Sequence, residues 1–395
     1  MGMYQEALAI RDIITANRRH LHQNPETGME LPKTAAFVEE KLKEMGYAPR
    51  RIGSCGIVAE IGKEGGKCIL LRADMDALPV REETERDFRS ENGSMHACGH
   101  DCHTANLLGA ARLLKAHEAQ LEGKVRLMFQ PAEETITGAK MMVDGGVCEG
   151  VDAAFGLHVF TNMPYPAGTV ILTGQDGKYA AIDWFTINIT GKGCHGAMPH
   201  KGVDPLNVMA HILIALQTLN SREMDPGDNM VLTIGQVHGG HTSNVIPETA
   251  MMSGTIRTLK NETRAMIKQR MQDIAGGIAA SFGAQAVVEF GSGCPVLITN
   301  KEFYDEVKGF VQGLEGVSSV DLDALGMDTV NMASEDFAYI SEVVPSAYLS
   351  IAAGDPAEGC CYPQHHPKAI FREEALPVGA ATYAHVAMEW LKKHK

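Results

Sequence analysis

The sequence predicts an α/β protein with a mixed, largely parallel sheet, interrupted by a smaller α+β domain. Three observations carry that prediction. Strand-like and helix-like runs alternate over residues 50–180, a pattern that builds sheets covered by helices. Near residue 181 the order becomes β-α-β-β-α-β, the split unit of ferredoxin-like domains. After Pro295 the α/β pattern resumes. Residues 1–180 and 293–395 are therefore expected to form one domain, with residues 181–292 inserted into it.

The first 20 residues or so read as one helix, because Tyr4, Leu8, Ile10, Ile13 and Ile14 fall near a helical stripe. A second helix runs from about Pro32 to Met45 and stops at Gly46. GIVAEIG (56–62) and KCILLRADMD (67–76) read as strands, Asp101–Lys115 as a helix, and Lys124–Phe129 and Ala153–Val159 as short apolar strands. In the insertion, Ile182–Thr190 alternates as a strand and Pro205–Leu219 is helical. Met230–Val237 and Thr249–Thr258 are strands, Glu262–Phe282 is a long helix, and Ala286–Phe290 closes the unit. Gly174, Gly177, Gly291 and Gly293 flank the two junctions, where small residues could absorb the dihedral changes of a hinge.

Composition excludes several classes. Lys plus Arg is 35 and Asp plus Glu is 49, a net charge of −14. Nucleic acid and anionic membrane surfaces both reward a basic face, so neither is the expected partner. No apolar run approaches the roughly 18 residues of a membrane span. The N-terminal stretch carries Glu6, Arg11 and Asp12 and does not read as a signal peptide. With nine Cys, an odd number, the expectation is reduced thiols in the cytoplasm.

Four segments offer metal-competent side chains. Cys98 and His100 are two apart in MHACGHDCH (95–103), and in extended backbone they point to one side. Thiolate and imidazole suit a borderline-soft divalent ion. A buried Cys beside a capping His, or a zinc knuckle, would also account for this segment, though no second Cys-rich pair is present for a knuckle. FQPAEE (129–134) follows a strand, where α/β sites lie. Of its two carboxylates one can bind metal while the other takes and returns a proton; a solvated acidic turn is the plainer account of such a pair alone. His158 stands in the apolar strand GLHV and His365 in the Pro-bracketed loop CYPQHHP; a satisfied core His and a surface His are their ordinary readings. Jointly Cys98, His100, Glu134, His158 and His365 are too many for one tetrahedral site and suit two ions with an open face. GKGCHG (191–196) matches GxGxxG, but Pro199 and Pro205 interrupt the helix it would open, and no acidic residue follows about 20 positions on at a strand end. Dinucleotide binding is therefore not expected, and His195 is the informative residue there. Arg257 alternates out of a strand and could clamp a carboxylate with both prongs, or simply form a surface ion pair.

RRHLHQNPE (18–26), LLRADMDALP (70–79), MHACGHDCHTANLLGAA (95–111), FQPAEE, GLHV, GKGCHGAMPH (191–200), NVIPE (244–248), GTIRT (254–258), SEDFA (334–338) and HHP (365–367) occur in this order. In them the chain resembles, over essentially its whole length, the metal-dependent amidohydrolases of the aminoacylase and carboxypeptidase type. Hippurate hydrolases, auxin-conjugate hydrolases and N-acetyldiaminopimelate deacetylases belong to that group. The resemblance implies a two-metal, peptidase-like catalytic domain with Cys98 bridging and His100, Glu134, His158 and His365 as the other ligands. It makes Glu133 the general acid/base and places His195 over the scissile carbonyl. Asp76 is a candidate to orient a ligand from behind, and Asn244 with Arg257 to grip the substrate carboxylate. Cys194 stands where Gly is usual, and Asp74 where distant branches carry a metal-binding His. The expected activity is hydrolysis of N-acyl or aryl-acyl amino acids with two divalent ions (Zn, Mn or Co), by a homodimer formed through the inserted domain. A dipeptidase or carboxypeptidase using the same site is the near alternative, and a metal binder without turnover the distant one; Glu133 argues against the latter.

Overall fold

The computed structural model describes residues 2–174, 179–327 and 332–395. The chain divides into two compact units. One comprises Met1–Asp176, Ile298–Thr329 and Asp336–Lys395; the other is Gly177–Leu297 with Val330–Glu335.

In the larger unit the chain begins with α1 (Met3–Ala9) and α2 (Arg11–Gln23), so the single N-terminal helix expected from the sequence is broken at Ile10. The apolar stripe continues across the break, which is why periodicity alone missed it. Helix α2 buries Ile14, Arg18, Leu21 and His22, one face at helical spacing. Helix α3 (Pro32–Glu44) opens on Pro32 and stops before Gly46, whose φ of 82° closes the helix. Then come β1 (Arg50–Ile52), β2 (Gly56–Gly62), β3 (Cys68–Asp74), α4 (His100–Ala116), β4 (Lys124–Gln130), α5 (Gly138–Asp144), β5 (Ala153–Phe160) and β6 (Val170–Leu172).

The smaller unit holds β7 (Ala181–Thr190), β8 (Cys194–His195), α6 (Pro205–Thr218), β9 (Met230–Gly239), β10 (Val245–Ile246), β11 (Thr249–Thr258), α7 (Asn261–Ser281) and β12 (Gln285–Cys294). The larger unit resumes with α8 (Lys301–Gln312), β13 (Ser319–Asp321), α9 (Ala338–Ser341), β14 (Ser346–Ala352) and α10 (Leu376–Lys393).

Eight strands among the described residues form the larger unit's sheet, in the order β1-β2-β4-β3-β5-β14-β6-β13. The central run β4-β3-β5-β14 is parallel, while β2 joins β4 and β6 joins β14 antiparallel. β3 is buried along its whole length, as a central parallel strand covered on both faces must be. Helix α4 is also buried almost throughout, and Ile14, Leu107, Leu114 and Tyr383 belong to one apolar core with the sheet. The parallel strands share one direction, so their carboxyl ends lie on one edge. That edge carries the loops bearing Asp76 and Glu133 and the end of β5 bearing His158.

The smaller unit's sheet runs β12-β7-β11-β9, fully antiparallel. Numbered within the unit, this is the 4-1-3-2 order of a split β-α-β unit. β7 alternates, turning Phe185, Ile187 and Ile189 inward and Trp184 outward. Ile212 and Leu216 of α6 and Ile267 and Met271 of α7 complete the core. Asp204 caps α6 by accepting hydrogen bonds from the Leu206 and Asn207 amides, and Pro205 occupies the first turn. β8 and β10 form a separate two-stranded ribbon.

Two of the junction glycines, Gly174 and Gly293, have packing reasons. A Cβ on Gly174 would lie 2.0 Å from the Tyr304 ring, and one on Gly293 2.4 Å from the Ile182 carbonyl. Gly291 and Gly293 lie within β12, where the register with β7 shifts, a β-bulge and not a free linker. Gly177 lies outside the described residues.

Candidate active site

Five side chains from four segments converge in the larger unit. Cys98 Sγ lies 3.5 Å from His158 Nε2 and 3.3 Å from His365 Nε2. Glu134 Oε1 lies 3.5 Å from His365 Nε2 and 4.0 Å from His100 Nε2. Bonds of about 2.0–2.3 Å to one tetrahedral ion put neighbouring donors about 3.3–3.8 Å apart, so these separations suit ligands sharing ions. The donors form overlapping groups: Cys98, His100 and His158; Cys98, Glu134 and His365; and His100, Glu133 and Glu134. Cys98, His100 and Glu134 each belong to two of them.

The donors His100, Glu134, His158 and His365 are each held by a second bond. His100 opens α4 behind Gly99, which takes a φ of 93°. Its Nδ1 donates to the Asp76 carbonyl at 2.9 Å, which turns Nε2 toward the cluster. Asp76 also receives the Glu133 amide at 3.0 Å and the Glu134 amide at 3.1 Å on its two carboxylate oxygens. One residue thus fixes the backbone of both carboxylates and the tautomer of His100. The turn before them is strained: Ala132 has a φ of 57°, unfavourable for a residue with a Cβ. His365 also has positive φ, 66°, and its amide donates to the Ala97 carbonyl at 2.9 Å, beside Cys98. His366 instead stacks on Tyr362 and accepts from the Lys368 amide.

The electrostatics fit a cation. His100 Nε2 and Glu134 Oε1 are buried with no hydrogen-bond partner among the described residues, and such orphaned atoms cost free energy unless something meets them. Burial, with Glu134 alongside, pushes the Cys98 thiol well above its ordinary value. Burial also pushes Glu134 up to about 7, with Asp76 adding to it and His100 opposing. Burial holds His158 and His365 below the usual histidine range, leaving them neutral as ligands must be. Burial would lower His100 too, but Asp74 and Cys98 outweigh it. Crowded negative groups beside neutral imidazoles are what divalent ions offset, releasing protons as they bind.

The remaining candidates lie on the smaller unit. His195 is exposed, pairs with Val245 in the ribbon, and accepts the Ala197 amide on Nδ1 at 3.0 Å. Its proton therefore sits on Nε2. The Asn244 carbonyl accepts the Gly196 amide, and its side-chain oxygen accepts from Thr242. Arg257 is partly buried; its Nη1 donates to the Met332 carbonyl at 2.7 Å and to Ser334 Oγ at 3.0 Å. Cys194 Sγ reaches the Met198 carbonyl, within the same loop as His195.

Sequence reasoning passed over a buried base beneath the cluster. Arg72 donates to Asp74 at 2.6 Å, to Gln130 at 2.9 Å and to Asp336 at 2.9 Å. Asp336 also accepts from Gln130 and from the Ala139 amide. On the other flank, Arg18 and His22 both meet Asp101, the residue after His100. Charged residues in otherwise apolar strand and helix faces were the available signal: Arg72 in ILLRAD and Arg18 on the buried stripe of α2.

Fold and site together define a metal-dependent hydrolase: an α/β sheet with a two-metal donor set at its carboxyl edge and a ferredoxin-like insertion. The chain belongs to peptidase family M20/M25/M40, whose model matches residues 70–389. It is 41% identical over 365 residues to an N-acetyl-L-cysteine deacetylase of Bacillus subtilis, covering 91% of this chain and 83% of that protein. It is 34% identical over 397 residues to the hippurate hydrolase of Campylobacter jejuni, covering 99% and 100% respectively. A solved Bacillus subtilis structure, described as a dinuclear metal-binding peptidase of the M20 family, superposes with a TM-score of 0.80 at 33% identity, covering 97% of this chain and 99% of that one. The chain is accordingly an enzyme, a metal-dependent amide hydrolase. No helix among the described residues is long and apolar enough to cross a membrane.

Proposed function

We propose that this enzyme hydrolyses N-acyl amino acids, with acetyl or aryl-acyl groups, to a carboxylic acid and a free amino acid. The observation that carries the reading is the convergence of five donors beside a second carboxylate, Glu133, whose Oε2 lies 3.8 Å from His100 Nε2. Cys98, His100, Glu134, His158 and His365 would hold two divalent ions, of zinc, manganese or cobalt. Such ions supply Lewis acidity at a scissile carbonyl and lower the pKa of a water. Glu133 takes the proton of the attacking water on its carboxylate and returns it to the leaving amine nitrogen. His195 donates from Nε2 to the developing oxyanion. Arg257, which has no carboxylate partner among the described residues, grips the carboxylate of the amino-acid half, with Asn244 beside it. Asp76 holds Glu133, Glu134 and His100 in place.

The protein works as a cytoplasmic homodimer joined through residues 181–292. Supporting this, β9 pairs on one side only among the described residues, and Met230–Gly239 carries neither Lys nor Pro to blunt its free edge. Closed two-fold dimers are also the commonest oligomers. The nine cysteines are all free thiols, which suits a reducing compartment.

The test is a panel of N-acetyl amino acids, N-benzoyl amino acids and dipeptides, assayed with each metal. Acyl amino acids should turn over fastest. Faster cleavage of dipeptides would hand the reading to a dipeptidase or carboxypeptidase.

A further inference from the structure

The trio Asp74, His100 and His103 also brings its ligand atoms within 4.8 Å of one another, all buried. His103 is nevertheless fully engaged. Its Nδ1 meets Asp74 Oδ1 at 2.6 Å, and its Nε2 meets the Val159 amide at 2.9 Å. An amide N–H can only donate, so Nε2 accepts and the proton sits on Nδ1, facing the carboxylate. Neither nitrogen has a lone pair left for an ion.

The reason for this arrangement lies in how the sheet ends. β3 pairs with β5 from Ile69↔Ala153 to Arg72↔Gly156, and there the ladder stops. β5 runs on to Phe160, paired from there only with β14. Beyond Gly156 the strand still has amides on the side that β3 has left. Side chains take them: the Leu157 amide donates to the Tyr383 hydroxyl at 3.1 Å, and the Val159 amide to His103. Tyr383 in turn donates to the carbonyl of Arg72, the last residue of β3 that pairs with β5. His103 and Tyr383 thus continue the missing strand.

His158 sits between those two substituted positions. Its Nδ1 donates to the Val159 carbonyl at 2.7 Å, which leaves Nε2 directed at Cys98. Val159 is therefore held at both ends of its backbone. Its amide is fixed by His103 and its carbonyl fixes the His158 ring. We infer that His103 is a positioning residue for His158, acting through the Val159 backbone, with Asp74 setting its tautomer and Arg72 setting Asp74. Outer partners of this kind orient ligands and typically matter by about 10–100-fold in metal affinity. The inference rests on the two-metal reading above.

The two nitrogens can be tested separately, since Gln places an amide oxygen near the Nε2 position and Asn places an amide nitrogen near Nδ1. The metal-free full-length chain and its His103→Ala, His103→Asn and His103→Gln variants are titrated with Co²⁺, with affinity read by chelator competition and ligand geometry by the visible absorption band. Melting of each metal-free chain reports folding. His103→Ala and His103→Asn should weaken one of the two equivalents by about 10–100-fold and shift its band, while His103→Gln stays within a few-fold of the parent. Should the Ala variant not fold, the Asn–Gln difference decides alone. Parent-like affinity in His103→Asn, or equal losses in Asn and Gln, would overturn the positioning role. A parent chain that binds no Co²⁺ would instead sink the two-metal reading itself.

Discussion

Around Cys98, the proposed ligands His100 and His158 are buried, Cys98 and Glu134 are partly buried and His365 is exposed, and the three histidines are each braced by a second bond. Around His195, the side chains proposed to meet the substrate stand exposed or half-exposed, on a two-stranded ribbon and an antiparallel strand. The first set is preorganised by one sheet edge and needs nothing further to hold its shape. The second is held by one or two bonds per residue, so its final geometry depends on what it meets. Binding of the ions is thus a property of the larger unit's core. Orientation of the substrate is a property of the smaller unit's surface. Variants in the two regions should fail differently, the first in metal content or stability and the second in kinetics alone.

The largest kinetic effect should come from Glu133, a buried carboxylate that is not a proposed ligand. Glu133→Gln should lower kcat by roughly 10²–10⁴-fold, the range for general acid–base catalysis, with metal content unchanged by elemental analysis. Near-normal turnover would reassign the proton transfer to Glu134. Beneath it, Asp336→Ala leaves the buried Arg72 guanidinium with one carboxylate fewer. Breaking a buried pair in this way costs about 3–5 kcal/mol, read by urea unfolding of the metal-free chain. A change within experimental error would mean that Asp74 and Gln130 suffice.

On the other unit, His195→Ala should lower kcat by about 10²–10³-fold, the size of a lost oxyanion donor, while both ions stay bound and melting is unchanged. Loss of metal in that variant would erase the contrast between the two regions. The smallest effect is expected at Arg257. Arg257→Lys keeps the charge but loses the fork, so kcat/KM for acyl amino acids should fall roughly tenfold, the scale of one charged hydrogen bond. The matching acyl amides, which lack the carboxylate, should be spared. Equal losses on both would make Arg257 a structural residue that ties β11 to Met332 and Ser334.

Much of this contrast was legible in the sequence, and for physical reasons. The smaller unit alternates with period two along half-buried strands, and its helix α6 announces itself with Asp204 and Pro205. Six of its elements could therefore be read in order, but not the two-residue ribbon strands β8 and β10. The proposed ligands lie in short polar motifs set into apolar runs, which made Cys98, His100 and His158 conspicuous. What local patterns do not encode is long-range pairing. Arg72 meets Asp336 across 264 positions, and β14 inserts between β5 and β6 from far along the chain. His103 was visible as a residue, three positions after His100 on α4. Its task was not, because that depends on where β3 parts from β5. The break at Ile10 escaped notice because the hydrophobic stripe runs through it.

The central claim is that the donor set around Cys98 holds two ions and that these support catalysis. It is tested most directly by counting them. Active enzyme, freed of loosely bound metal, should contain two divalent ions per chain by elemental analysis, lose turnover when a chelator removes them, and regain it as the second equivalent is restored. Full activity with at most one ion per chain would contradict the account.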